Sequence, residues 1–130
     1  FFVASTNEPW NLPPHMVRAG RFDAIFHIGL PDSGAMEEIF AIHSRRYCPD
    51  LQLEYRSQEI RTLLRKMIEM KFSGAEVEQT IIEAVQTSYP GSPTIENFDE
   101  CATKIVPIAA TMADEMEKLE KWARGKARPA

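Results

Sequence analysis

Apolar positions along this chain follow two different rules. Up to about residue 30 they come in short continuous runs, Phe1-Phe2-Val3-Ala4 and then Ala24 to Leu30 (A-I-F-H-I-G-L). Runs that are apolar on both faces suit buried strands of a parallel sheet. Phe1–Ser5 and Ala24–Leu30 are therefore expected to be two parallel strands. Thr6-Asn7-Glu8-Pro9 ends the first and Pro31-Asp32 the second. Between them Asn11 is placed to cap a short helix whose first turn holds Pro13 and Pro14, where a missing N–H costs least. That helix is expected to run through Met16, Val17 and Arg18 and to stop at Gly20.

From Ser33 onward the spacing is helical. Met36, Ile39, Phe40, His43 and Tyr47 form one stripe, and Ile60, Leu63, Leu64, Met67 and Ile68 a second. Ser73-Gly74-Ala75-Glu76 has the form of a capping box, opening a helix that buries Val77, Ile81, Ala84, Val85 and Ser88. Thr94 caps a helix with Ile95, Phe98, Ala102 and Ile105 inward. Pro107 interrupts, and Thr111 with Asp114 makes a box-like start for a last helix through Met112, Met116, Leu119 and Ala123. The chain is expected to be mainly α, with a boundary where sheet grammar gives way to helical grammar: residues 1–32 end an α/β domain and residues 33–130 form a helical one.

The totals exclude several classes. The 130 residues are 44% hydrophobic and 26% charged, as in a globular chain with a core, and the net charge is -4. An acidic total without a basic, aromatic-studded face argues against a nucleic-acid partner. The final ten residues, K-W-A-R-G-K-A-R-P-A, carry Lys121, Arg124, Lys126 and Arg128 and no acid. They read either as a solvated end or as a weak phosphate-seeking segment. Cys48 and Cys101 have no C-x-x-C spacing, so neither a disulfide framework nor a metal site is expected, and a reducing compartment is the simple reading. No apolar run reaches membrane-spanning length, and no basic start with an apolar stretch marks a leader. No membrane partner is expected.

Three positions carry candidate chemistry before the helical part. A polar residue at the carboxyl end of a parallel strand lies at the edge where open sheets bind ligands. Asn7 stands there, either to orient a water or phosphate oxygen or to cap the turn. In M-V-R-A-G-R-F-D, Arg18 and Arg21 flank the glycine stop. Their guanidinium forks match phosphate oxygens and stay charged, or they form ordinary surface pairs with Asp23 or Glu8.

The joint pattern F-F-V-A-S-T-N-E-P-W-N-L-P-P-H-M-V-R-A-G-R-F-D-A-I-F-H-I-G-L-P-D resembles the second region of homology of AAA ATPases. The resemblance implies that Asn7 is the sensor facing the γ-phosphate and the attacking water. It implies that Arg18 and Arg21 are arginine fingers reaching the nucleotide of a neighbouring subunit. E-E-I-F-A-I-H-S-R-R looks like the first helix of the lid of such ATPases, with Ile39 against the adenine and His43 near the ribose; His43 also reads as a core-facing helical histidine. F-S-G-A-E looks like the lid helix that carries a Gly-Ala pair, here Gly74 and Ala75, near the nucleotide. One departure is Lys71, where relatives often have a glycine. The terminal T-M-A-D-E-M and W-A-R-G-K-A-R-P-A resemble the end of the stand-alone AAA ATPases encoded as an open reading frame in plastids, cyanobacteria and other bacteria.

The resemblance implies the carboxyl-terminal end of a P-loop α/β domain followed by an AAA-type helical lid. It also implies a homo-oligomeric ring, commonly a hexamer, that uses ATP with magnesium to remodel a protein client in the cytoplasm or the plastid stroma. The chain contains no G-x-x-x-x-G-K-[ST] and no apolar run ending in Asp-Glu. The phosphate cradle and magnesium ligands are therefore expected outside it, and the 130 residues alone are not expected to hydrolyse ATP. The competing expectation is a non-catalytic, lid-like interaction module with the arginines in surface pairs.

Overall fold

The computed structural model describes residues 2–16 and 22–130. The chain is mainly helical, and it divides into two compact units, Leu30–Thr111 and Phe1–Gly29 with Met112–Ala130. From the sequence the helical region is expected to continue to Ala130; by packing, the residues after Thr111 group with the amino-terminal stretch.

The unit Leu30–Thr111 is a helical bundle of α1 (Ser33–Tyr47), α2 (Gln58–Glu69), α3 (Gly74–Ser88), α4 (Ile95–Lys104) and the single turn α5 (Ile108–Thr111). Helix α1 packs on α2 and α3, and α4 packs on both of those. The stripes foreseen from the 3.6-residue period supply the interior: Met36 and Phe40 from α1, Ile60, Leu63, Leu64 and Met67 from α2, Val77, Ile81 and Ala84 from α3, Phe98 and Ala102 from α4. Cys101 and Phe72 join them. Phe40 and Phe98 meet edge to face, with ring centroids 5.5 Å apart. Each such buried ring contributes about 2–3 kcal/mol by its removal from water.

The ends of these helices follow local chemistry. Asp32 caps α1, its Oδ1 accepting the Ala35 N–H at 2.8 Å. Ser57 does the same for Ile60 N–H on α2, and Thr94 for Asn97 N–H on α4. Helix α2 ends in a paired turn: Phe72 N–H donates to Met67 O at 3.0 Å and Lys71 N–H to Ile68 O at 2.9 Å. That pattern requires a left-handed residue between helix and exit, and Lys71 supplies it at φ 60°.

The other unit holds a 3-10 turn at Pro9–Asn11, helix α6 (Ala113–Ala123) and two short strands, β1 (Phe26–His27) and β2 (Arg128–Pro129). The 3-10 turn packs on α6, and Lys118 Nζ sits 3.9 Å over the Trp10 ring. The strands are parallel, but they are not the expected pair. β1 is the centre of the foreseen Ala24–Leu30 run; its partner is the basic tail, in the register Phe26↔Arg128 and His27↔Pro129. Arg128 N–H donates to Ile25 O and Ala130 N–H to His27 O, while Pro129, which has no N–H, lies between those two donors.

Of the run Phe1–Ser5, expected as a buried strand, residues 2–5 have no strand partner among the described residues, and Phe2 and Val3 are each 76% exposed. An extended apolar run becomes a strand only through a neighbour that takes its N–H and C=O groups. The helix expected to reach Arg18 and stop at Gly20 is described only to a turn at Met16, whose N–H donates to Pro13 O; the rest lies outside the described residues. The expected box at Thr111 is absent. Thr111 ends α5, with its hydroxyl donating to Ile108 O, and α6 begins after Met112 with no side-chain cap.

Candidate functional site

The bundle brings together the opening of α3 and the middle of α1. Ile39 lies directly against Gly74: a Cβ placed on that glycine would stand 3.6 Å from Ile39 Cδ1 and 3.8 Å from its Cγ2. Those are ordinary van der Waals distances, so the site tolerates a methyl group and little more. Ala75, next along, is exposed.

The start of α3 is held from below by Glu76. Its Oε2 accepts the Ser73 N–H at 2.6 Å and the Ser73 hydroxyl at 2.9 Å, the carboxylate half of the foreseen box. Its Oε1 accepts the Ile108 N–H at the start of α5. A carboxylate that is 8% exposed thus has three donors, which is what a buried charge requires. The link to Ile108 has no counterpart in the local sequence pattern.

One turn further along both helices, His43 meets Glu78. Ile39 and His43 are four apart on α1, as Gly74 and Glu78 are on α3, so each pair shares a helix face. His43 Nδ1 lies 3.3 Å from Glu78 Oε1. The approach is within ion-pair range, but the ring is not aligned for a hydrogen bond, and Nδ1 is enclosed without a completed one. The same oxygen accepts the Tyr47 hydroxyl at 2.6 Å, and Arg46 Nη1 stands 3.8 Å away. The His43 and Tyr47 rings lie nearly parallel, 10° apart with centroids at 6.3 Å.

The Tyr47 hydrogen bond is the main cause holding the Glu78 carboxyl below the ordinary carboxylate range; burial opposes it, and the neighbouring His43 ring and Arg46 guanidinium add smaller effects in the same direction as the hydrogen bond. The same hydrogen bond, with burial, raises the Tyr47 phenol above its usual value. Glu78 and Tyr47 were legible only as helix positions; their meeting needs two helices side by side.

Asn7 belongs to the other unit, exposed on a bend, with no side-chain hydrogen bond among the described residues. Arg18 and Arg21 lie outside the described residues. No group of three His, Cys, Asp or Glu side chains among the described residues is placed to hold a metal ion. Among the same residues no helix is long and apolar enough to cross a membrane.

Known proteins match this chain end to end. The AAA domain-containing protein ycf46 of Pyropia yezoensis is 38% identical over 133 aligned residues, covering 100% of this chain and 26% of its own length. The protein of the same name from Guillardia theta is 35% identical over 125 residues, covering 95% of this chain and 24% of itself. The chain belongs to the AAA family. It corresponds to the carboxyl-terminal part of an AAA ATPase, the end of the α/β domain and the helical lid, and among AAA proteins it is similar to the plastid open-reading-frame group. A second AAA branch matches too: the ATP-dependent zinc metalloprotease FtsH of Mycoplasmopsis synoviae is 31% identical over 122 residues, covering 92% of this chain and 17% of its own. The chain spans about a quarter of the length of the ycf46 relatives it matches. No family model and no solved structure matches it.

Proposed function

We propose that this chain supplies the sensor, the trans-acting arginines and the nucleotide-covering lid of an ATP-hydrolysing AAA ring. Asn7 would orient the attacking water, and Arg18 and Arg21 would reach the nucleotide of the next subunit. Ile39, His43, Gly74 and Ala75 would line the adenosine. The observation that carries this reading is the seating of Ile39 on Gly74 at the start of α3, with His43 one turn beyond. A branched apolar side chain beside a residue without Cβ leaves a flat apolar edge, which suits a purine face. His43, four residues along the same face of α1, offers a ring nitrogen that suits a sugar hydroxyl.

Nucleotide-bound magnesium, when present, neutralises charge developing on the phosphates. Its ligands and the phosphate cradle would lie outside these 130 residues, which contain no G-x-x-x-x-G-K-[ST] and no apolar run ending in Asp-Glu. The contribution of this chain is orientation and charge: an amide at the water, guanidinium groups at the γ-phosphate, and a lid that excludes solvent from the base. Arginines that act across a subunit boundary need a ring, and a hexamer is the proposed size. The work of hydrolysis is remodelling of a protein client, in the cytoplasm or the plastid stroma.

The test is Arg21→Ala in the complete protein. ATP affinity is expected to change by less than about threefold, while turnover falls by about a thousandfold or more, the usual effect of losing an arginine finger. Turnover within a few fold of the unaltered protein would refute the finger role. Absence of ATP binding in the unaltered protein would favour the non-catalytic module.

A further inference from the structure

Around His43 the structure holds more than the nucleotide reading uses. Glu78 Oε1 receives the Tyr47 hydroxyl at 2.6 Å and lies 3.3 Å from the enclosed His43 Nδ1. Arg46 Nη1, on a well-exposed side chain, lies 3.8 Å from the same oxygen. A lone pair on Nδ1 would face a carboxylate oxygen with no proton between them. The repulsion is avoided only when Nδ1 carries the hydrogen. In a neutral imidazole the other nitrogen, Nε2, is then an acceptor. The nearly parallel Tyr47 ring restricts the plane in which that acceptor points, and the short phenol bond fixes the oxygen to which Nδ1 turns.

We propose that Glu78 is a positioning residue: together with the Tyr47 hydroxyl it keeps the His43 proton on Nδ1 and so presents Nε2 as an acceptor for a ribose hydroxyl of the bound adenine nucleotide. The proposal rests on the nucleotide reading of His43 and adds to it a tautomer, a supporting pair of residues and a source of sugar selectivity. It also accounts for a tyrosine and a glutamate, thirty-one positions apart, sharing one oxygen on the surface of the bundle. A purely structural hydrogen bond there would stabilise the α1–α3 contact and leave sugar selectivity untouched.

The experiment uses the full-length protein and compares dissociation constants for ATP, 2′-deoxy-ATP and 3′-deoxy-ATP. The unaltered protein is expected to prefer ATP by about tenfold over the analogue lacking the contacted hydroxyl, the effect of one hydrogen bond. Glu78→Met removes the acceptor while keeping the side-chain length. It is expected to reduce that preference to within about twofold, as His43→Ala does, with affinity for the deoxy analogue unchanged. Glu78→Gln, which retains an acceptor, keeps more of the preference than Glu78→Met. Tyr47→Phe moves it the same way by less, and provides the test if Glu78→Met does not fold.

Full preference in Glu78→Met or an undiminished one in Tyr47→Phe, alongside its loss in His43→Ala, overturns the positioning role and leaves His43 at the sugar. Equal binding of all three nucleotides by the unaltered protein overturns the His43–ribose contact and this proposal with it. Failure to bind ATP at all overturns the nucleotide reading itself.

Discussion

Lys71 carries a backbone conformation that usually belongs to glycine. At φ 60° it closes the turn after α2, with the Lys71 and Phe72 N–H groups on the carbonyls of Ile68 and Met67. The left-handed region costs a residue with a Cβ about 1–2 kcal/mol. What holds Lys71 there is the next residue: Phe72 is fully buried, and reaching the core from the end of α2 demands this reversal. Lys71→Gly removes the Cβ strain but gives the unfolded chain more freedom. The net expectation is a gain of about 0.5–1 kcal/mol, read as a higher urea midpoint with an unchanged slope. A lower midpoint would show that the lysine side chain contributes more than its backbone costs. The departure at Lys71 was visible in the sequence; that the turn keeps its geometry regardless was not.

At the level of elements, Glu76 does two jobs. It completes the cap at the start of α3 through Ser73, and it takes the Ile108 N–H at the start of α5. Pro107 cannot donate an N–H, so the chain restarts helix at a point where donors need partners, and Glu76 is one of them. Glu76→Gln keeps the shape but turns one acceptor oxygen into a donor facing other donors. The expected cost is on the order of 2 kcal/mol in the unfolding free energy. A change below about 0.5 kcal/mol in denaturant unfolding would mean that the carboxylate is not what joins the two helices. The sequence announced the Ser73–Glu76 box because its partners are three residues apart. It was silent on Ile108, which the fold brings from thirty-two positions away.

For the molecule as a whole, the tail matters more than its composition suggests. After α6, Gly125 turns at φ 74°, and Arg128–Pro129 then pair with Phe26–His27. Gly125→Ala is expected to cost about 1 kcal/mol locally. Exchange of the Arg128 and Ala130 amides would quicken by about fivefold, while amides of Val77 and Ile81 in the bundle keep their protection. Equal loss in both places would mean that the two units open together. Sequence alone determined the four longer helices of the bundle, their inward stripes and the caps at Ser73 and Thr94, because those depend on neighbours within four residues. It also carried the motifs that mark an AAA protein. Only the tertiary structure decided the strand pairing, since an apolar run does not name its partner, and the described residues 2–5 of the first run have none. The convergence of His43, Tyr47 and Glu78 was likewise beyond the sequence: a hydrogen bond between helices depends on how far each is rotated about its axis, and that is set by the packing of the buried side chains beneath it.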